Sequence, residues 1–187
     1  MSIKNKKTIV LLSVLALVII GSAIIFGSGM LNGQKKSYMM ASWVYGYSGL
    51  EELSQASEVI ALVRVKSVAK EYVDQGTPFT EYNVEVLTPI FNINQGDTLI
   101  VRMTGGPNQG VVFEVMDDPL LKIGDQLIVF CKENVGVSYL SYSFVGGPQG
   151  KLTYSNGKLN ALMFNIQVKD ADFTETVDLI NSYINKD

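Results

Sequence analysis

The sequence predicts a mainly β domain, an antiparallel barrel or sandwich of about six to eight strands with a short N-terminal helix and a C-terminal helix, preceded by one transmembrane helix. Three observations support this fold class. Residues 8–26 form one long run of mostly Ile, Val, Leu and Ala. Beyond Glu58 the apolar residues change from a helical period to a period of two, and short apolar runs then recur between Gly, Pro and Asn residues.

The N-terminal end has the charge pattern of a membrane anchor. Residues 1–7 contain three lysines and are predicted to lie in the cytoplasm, and no charge occurs in residues 8–26. At about 1.5 Å per residue, this run forms a helix of about 28 Å, close to the roughly 30 Å thickness of bilayer hydrocarbon. Basic residues before the span favour an internal N-terminus and an external domain. The alternative is a secreted protein with a cleaved signal peptide, for which Gly27 and Gly29 supply small residues.

Residues 27–46 are predicted to be a linker and an aromatic segment, and residues 47–187 the extracytoplasmic β domain. Residues 27–37 are rich in Gly, Ser, Asn and Lys without apolar periodicity, which is typical of a flexible tether. An aromatic cluster follows, which we interpret as packing against the edge of the core, with an interfacial belt or binding face as the alternative. Its members are Tyr38, Trp43, Tyr45 and Tyr47.

The elements of the domain follow from local patterns. Leu50 and Leu53, with two glutamates between them, predict a short helix ending near residue 57. Alternation predicts strands over 60–67, 79–86, 98–103, 111–115, 126–132, 139–145, 152–154 and 159–162. Asn156-Gly157 has the left-handed preference of a two-residue hairpin turn. Asp172 is the predicted N-cap of a final helix over 173–185 whose apolar face docks on the barrel.

The charge distribution excludes nucleic acid as a partner. The formal net charge is −3, but residues 1–36 carry five lysines and no acid, so that segment is +5. The remaining 10 basic and 18 acidic residues give the exported part a charge near −8. Such a field repels polyanions.

The composition also excludes several kinds of catalysis. The chain has no His and a single Cys, so a His-based triad, an internal disulfide, a multi-cysteine zinc site and a Cys-x-x-Cys redox pair are impossible within it. We therefore predict a protein that is not an enzyme and has no cofactor and no metal.

Four motifs that resemble sites have simpler interpretations. Ser67-Val68-Ala69-Lys70 has the Ser-x-x-Lys spacing of penicillin-recognising acyltransferases, but residues three apart in a strand point to opposite faces, so the motif is rejected. Cys131 alternates with apolar residues and is interpreted as a buried structural thiol. Residues 92–97 lack the ligands of a calcium loop and are interpreted as a turn. Asp117-Asp118-Pro119 is interpreted as a solvated turn.

Two similar Gly-rich loops stand out, over 105–110 and 146–150. The simpler interpretation is that each Gly provides a positive-φ corner or bulge where a strand bends. The alternative is that the two loops form one rim of the barrel, where exposed backbone NH groups and Gln side-chain amides bind a ligand or partner. This alternative predicts that Gln109→Ala and Gln149→Ala weaken binding with little change in melting temperature. The candidate rim residues are Gly105, Gly106, Asn108, Gln109, Gly147, Gln149 and Gly150.

An ordered set of motifs resembles a widespread family of exported, membrane-anchored or secreted domains of Gram-positive bacteria. The resemblance covers roughly 47–162 and implies a small OB-like or netrin-like β-barrel, with no catalytic residues to carry over. One departure is Pro89-Ile90-Phe91, where many members have a Lys-Gly pair. The motifs are Leu50-Glu51-Glu52-Leu53, Ser57-Glu58-Val59-Ile60, Tyr82-Asn83-Val84-Glu85-Val86, Gly105-Gly106, Ile123-Gly124-Asp125-Gln126-Leu127-Ile128-Val129-Phe130 and Gly147-Pro148-Gln149-Gly150-Lys151.

Together these observations predict a non-catalytic cell-surface binding or interaction module, held by a single N-terminal anchor in the cytoplasmic membrane. The expected partner is an envelope protein or a glycan. The alternatives are an inhibitor or assembly partner of an exported enzyme and, from another class, a hydrolase that uses paired carboxylates, whose identification requires distances.

Overall fold

The computed structural model describes residues 35–41, 46–136 and 138–185, so the predicted span at 8–26 lies outside the described residues. Neither of the two α-helices in the described ranges has the length and apolar character needed to cross a bilayer. These helices are α1 (Leu50–Gln55) and α2 (Phe173–Ile184). The same ranges contain ten strands: β1 (Lys35–Met39), β2 (Val59–Asp74), β3 (Thr77–Phe91), β4 (Thr98–Asn108), β5 (Val111–Val115), β6 (Gln126–Glu133), β7 (Tyr142–Phe144), β8 (Lys151–Ser155), β9 (Lys158–Ala161) and β10 (Ala171–Asp172).

Five of these strands close into a barrel. β2 pairs antiparallel with β3 on one side and with β6 on the other, and β3 pairs antiparallel with β4. The short strand β7 completes the circle, because it pairs antiparallel with β6 and parallel with β4. β5 and β1 extend the sheet beyond β4, and β8, β9 and β10 extend it beyond β6. The predicted class, a mainly β barrel with two helices, is confirmed, with more strands in the described part than the sequence predicted.

The hairpin of β2 and β3 is longer than its sequence pattern indicated. Gln75 and Gly76, with φ of 46° and 83°, form the two-residue turn that joins the strands. Register shifts between Val65 and Ser67 and between Val68 and Lys70 interrupt the alternation that marks a strand in sequence. Such bulges change which face a side chain occupies, so the period of two is lost while the pairing continues.

The apolar side chains form two layers separated by the barrel wall. Inward positions of the barrel strands form one core, which includes Val63, Val84, Val101 and Cys131. The opposite faces of β2, β6, β8 and β9 form a second core with α1 and α2, which includes Leu53, Phe130, Leu159 and Ile180. Asp172 precedes α2, and its carboxylate accepts hydrogen bonds from the NH groups of Thr174 and Glu175, so the predicted N-cap is confirmed.

The segment before the barrel is ordered where a tether was expected. β1 occupies the position next to β5, and the backbone NH of Met116 donates to the carbonyl of Met39 at 3.1 Å. Lys36 Nζ lies 2.9 Å from a carboxylate oxygen of Glu114. The end of the predicted tether, residues 35–37, therefore forms part of an edge strand, and the rest of the tether lies outside the described residues. Edge strands carry polar residues and are difficult to distinguish from linkers by composition.

Candidate functional site: a polar and aromatic face of the barrel

One outer face of the barrel combines aromatic and charged side chains from three strands. We call it the β2–β3–β4 face, and its members are Lys70, Tyr72, Phe79, Glu81 and Arg102. Lys70 and Arg102 both lie opposite Glu81 in the register, and Tyr72 lies opposite Phe79. Residues directly across a sheet share a face, so these side chains are neighbours. The rings of Tyr72 and Phe79 stack with centroids 5.6 Å apart.

The loop between β6 and β7, residues 134–141, reaches over this face through Tyr139. The Tyr139 hydroxyl lies 2.6 Å and 2.8 Å from the two carboxylate oxygens of Glu81 and donates to them. The Tyr72 hydroxyl donates to the same carboxylate at 3.1 Å. Glu81 is only 2% exposed, and a buried carboxylate is costly unless hydrogen-bond donors replace its water. The hydrogen bond to Glu81, with smaller effects of burial and of the negative charge, raises the pKa of Tyr139 to about 12.

Two cations flank the buried carboxylate over aromatic rings. Lys70 Nζ lies 4.7 Å from the centroid of the Tyr72 ring and 5.8 Å from that of Tyr139. Arg102 Cζ lies 5.3 Å from the centroid of the Phe79 ring. These separations are within the range of cation–π attraction, which fixes the orientation of both cations and rings. The side chains of the β2–β3–β4 face are therefore held in fixed orientations before any partner binds.

Asn134 holds the base of the β6–β7 loop. Its side-chain oxygen accepts from the Ser143 hydroxyl at 2.6 Å and from Arg102 Nη2 at 3.2 Å, and its amide donates to the Ser141 hydroxyl at 3.0 Å. On this anchored loop, the side chains of Val135 and Leu140 are exposed by 95% and 58%. The structure thus presents two aliphatic side chains to solvent next to a polar and aromatic face.

The first predicted Gly-rich loop lies in β4 and in the β4–β5 turn. Gly105 and Gly106 are buried in the strand with φ of 118° and 139°, and a Cβ on Gly106 would lie 2.5 Å from Thr80 Oγ1. Asn108 is half-buried, and Gln109 is exposed in the turn at φ 50°. The two glycines thus permit close packing of β4 on β3. Binding by Asn108 and Gln109 stays a prediction.

The second Gly-rich loop is a 3₁₀ turn, Gly147–Gly150, which is buried immediately before β8. The amide of Gln149 donates to the carbonyl of Tyr47 at 2.8 Å, and its oxygen accepts from the Tyr47 NH at 3.1 Å. Both ends of this side chain are therefore engaged within the protein. A ligand role for Gly147, Gln149 and Gly150 also stays a prediction.

A second polar cluster lies inside the barrel. Lys151 and Asp118 contact each other with side chains only 1% and 3% exposed, and Lys151 Nζ lies 4.8 Å from the centroid of the Phe144 ring. Burial lowers the pKa of Lys151 and raises that of Asp118, and in each case the partner's charge opposes the shift. The predicted solvated turn at 117–119 is therefore wrong for Asp118. The prediction that Cys131 is buried is confirmed, and burial raises the pKa of its thiol.

The β2–β3–β4 face could not be predicted from the sequence pattern. Glu81 occupies an outward position of an alternating strand, and this pattern normally indicates a solvated residue. The available signal was Phe79, an aromatic residue at another outward position of the same strand. The contact with Tyr139, 58 residues away in the chain, could not be inferred from periodicity.

Comparison with protein-family models and with curated proteins found no match. Within the described ranges, no group of three or more His, Cys, Asp or Glu side chains is placed to hold a metal ion.

Proposed function

We propose that this protein is a non-catalytic binding module of the cell envelope, and that it binds another envelope protein through the β2–β3–β4 face and the β6–β7 loop. Residues 8–26 anchor it in the cytoplasmic membrane with the barrel outside. Counted within the barrel alone, β3 and β4 are the second and third strands, and the β6–β7 loop joins the fourth and fifth. OB-folds bind ligands on the second and third strands and on the loop between the fourth and fifth, which supports an OB-like binding role.

The observation that carries the proposal is the exposure of Val135 and Leu140 on a loop anchored at Asn134 and Tyr139. Exposed aliphatic side chains lose unfavourable hydration when a partner covers them. Because Asn134 and Tyr139 are already held by hydrogen bonds, less conformational entropy is lost on binding at these positions. The adjacent rings of Tyr72 and Phe79 add the aromatic surface that is enriched in protein interfaces.

The charges favour a protein partner over a polyanion. The exported part of the chain is near −8, which opposes binding of teichoic-acid-like or nucleic acid polymers. The carboxylate of Glu81 is already bound by two phenols, so the exposed polar groups of the face are chiefly Lys70 and the edge of Arg102. A partner with an apolar segment beside a carboxylate would match this arrangement.

Site-specific photocrosslinking in intact cells tests this proposal. A photoreactive amino acid at Leu140 is expected to capture one discrete protein band. The same amino acid at Leu179, an exposed leucine of α2 (43%), is expected not to capture that band. Leu140→Asp is expected to weaken association with the captured partner, whereas Leu179→Asp leaves it unchanged. Equal capture at both positions, or capture of glycan alone at Leu140, would contradict a protein interface at this loop.

Fractionation tests the anchor separately. Full-length protein in the membrane fraction is expected if residues 8–26 remain attached. A protein shortened near Gly27 or Gly29 and found in the medium would indicate secretion with a cleaved signal peptide. That result would not contradict the proposed binding face. Recovery from the cytosol would contradict both localisations.

A further inference from the structure

The buried contact between Lys151 and Asp118 has no role in the binding face described above. Lys151 is the first residue of β8, and it lies opposite Val129, an inward residue of β6, so its side chain enters the barrel interior. Asp118 comes from the segment between β5 and β6, 33 residues earlier in the chain. The amine and the carboxyl group therefore meet where both side chains are almost completely shielded from water.

We propose that Lys151 and Asp118 are covalently joined by an isopeptide bond between Lys151 Nζ and Asp118 Cγ. A buried ion pair must compensate for the desolvation of two charges, whereas an amide is uncharged. Side-chain amines and carboxylic acids condense as their neutral forms. Burial displaces the pKa values of both groups towards those forms, which supports a reaction that the geometry allows.

The proposed step balances without any other reactant. The lone pair of Lys151 Nζ attacks Asp118 Cγ and forms the C–N bond. One C–O bond of the carboxyl group breaks, and two protons from the neutral amine and acid leave with that oxygen as water. No atom is oxidised or reduced. Holding the two groups in contact replaces a bimolecular encounter and raises their effective concentration by orders of magnitude.

The surroundings provide an aromatic wall and space for the released water. The Phe144 ring lies beside Lys151 Nζ and helps to exclude bulk solvent. Asp118 and Phe144 also line a cavity of about 90 Å³ that extends to Arg102 and Ser143. A water molecule takes up about 30 Å³, so the product can leave the reacting atoms without displacing the core.

Tryptic mapping of the full chain by mass spectrometry tests the bond. Because trypsin does not cleave at an acylated lysine, the expected product is peptide 103–122 joined to peptide 133–158, lighter than their sum by one water molecule. Fragmentation is expected to locate the branch at Asp118 and Lys151. Separate peptides 103–122, 133–151 and 152–158 would show an ordinary ion pair and would overturn the proposal.

A matched variant checks the assignment. Lys151→Arg keeps a positive charge at the same position but removes the amine that forms the bond. This variant is expected to yield only unlinked peptides. A branched product of the same chain segments in this variant would place the linkage elsewhere and would also overturn the proposal. Neither result depends on the binding partner.

Discussion

Replacement of Gly106 by alanine tests whether the first Gly-rich segment serves packing. The new Cβ would lie 2.5 Å from Thr80 Oγ1, a buried hydroxyl that donates to the Gly105 carbonyl at 2.8 Å. Relief of this clash requires a shift of backbone or loss of that hydrogen bond, at about 1–3 kcal/mol. The φ of 139° adds conformational strain of about 1–3 kcal/mol. We therefore expect Gly106→Ala to lower the free energy of unfolding by about 2–6 kcal/mol.

Gly157 is the matched control, because it also has a positive φ, 78°, but no atom lies within 4 Å of its hypothetical Cβ. Gly157→Ala is expected to cost only the conformational part, about 1–2 kcal/mol. Urea denaturation followed by far-ultraviolet circular dichroism measures both variants. A cost for Gly106→Ala no greater than that for Gly157→Ala would refute the packing argument. If binding were lost at the same time, a ligand role would be favoured.

Three further predictions concern side-chain hydrogen bonds. Gln149→Ala should lower the free energy of unfolding by about 1–3 kcal/mol, because it leaves the Tyr47 NH without its partner and removes one of the two hydrogen bonds to the Tyr47 carbonyl, which Asn165 also contacts. The exposed Gln109→Ala should stay within about 0.5 kcal/mol in the same denaturation assay. The pKa of Tyr139 is raised to about 12 in the folded protein, against about 10 in the unfolded chain, so its contribution to stability is fully present below about pH 10 and is lost towards pH 12. Tyr139→Phe should remove this part of the pH dependence of unfolding. An unchanged pH profile in unfolding titrations of the variant would contradict this assignment. Asp172→Ala should lower the free energy of unfolding by about 1 kcal/mol through loss of the N-cap. Asp178→Ala, at an exposed site inside α2, is the control, and an equal fall in melting temperature in both variants would argue against capping as the cause.

Sequence patterns predicted the parts of the fold that alternate regularly. The Asn156-Gly157 turn, the α2 helix, part of β3, the first half of β4 and most of β6 follow from local chemistry, and the structure contains them. The sequence did not reveal β1, because its exposed edge position permits a polar composition. β7 is shorter than predicted, because Tyr139 leaves the strand direction to donate to Glu81.

The candidate site was much less predictable than the fold. Its central contact, between Tyr139 and Glu81, joins residues that are distant in sequence. A charged residue in a strand has the same local pattern whether water or another side chain covers it. Asp118 illustrates the difficulty, since its neighbours Asp117 and Pro119 are typical of a solvated turn. Its burial depends on Lys151, whose own position at the start of β8 gives no local indication of a buried partner.

The closure of the barrel depends on its shortest strand. β7 contributes two register pairs with β4 and three with β6, far fewer than the long β2–β3 hairpin. Amide hydrogens in such a short junction are expected to exchange with solvent through local opening, before the rest of the barrel unfolds. The β6–β7 loop leads directly into this strand, so a partner that holds the loop would also suppress that opening. Binding of a partner to the β6–β7 loop would then be detectable as slower hydrogen exchange of the β7 amides in the barrel wall.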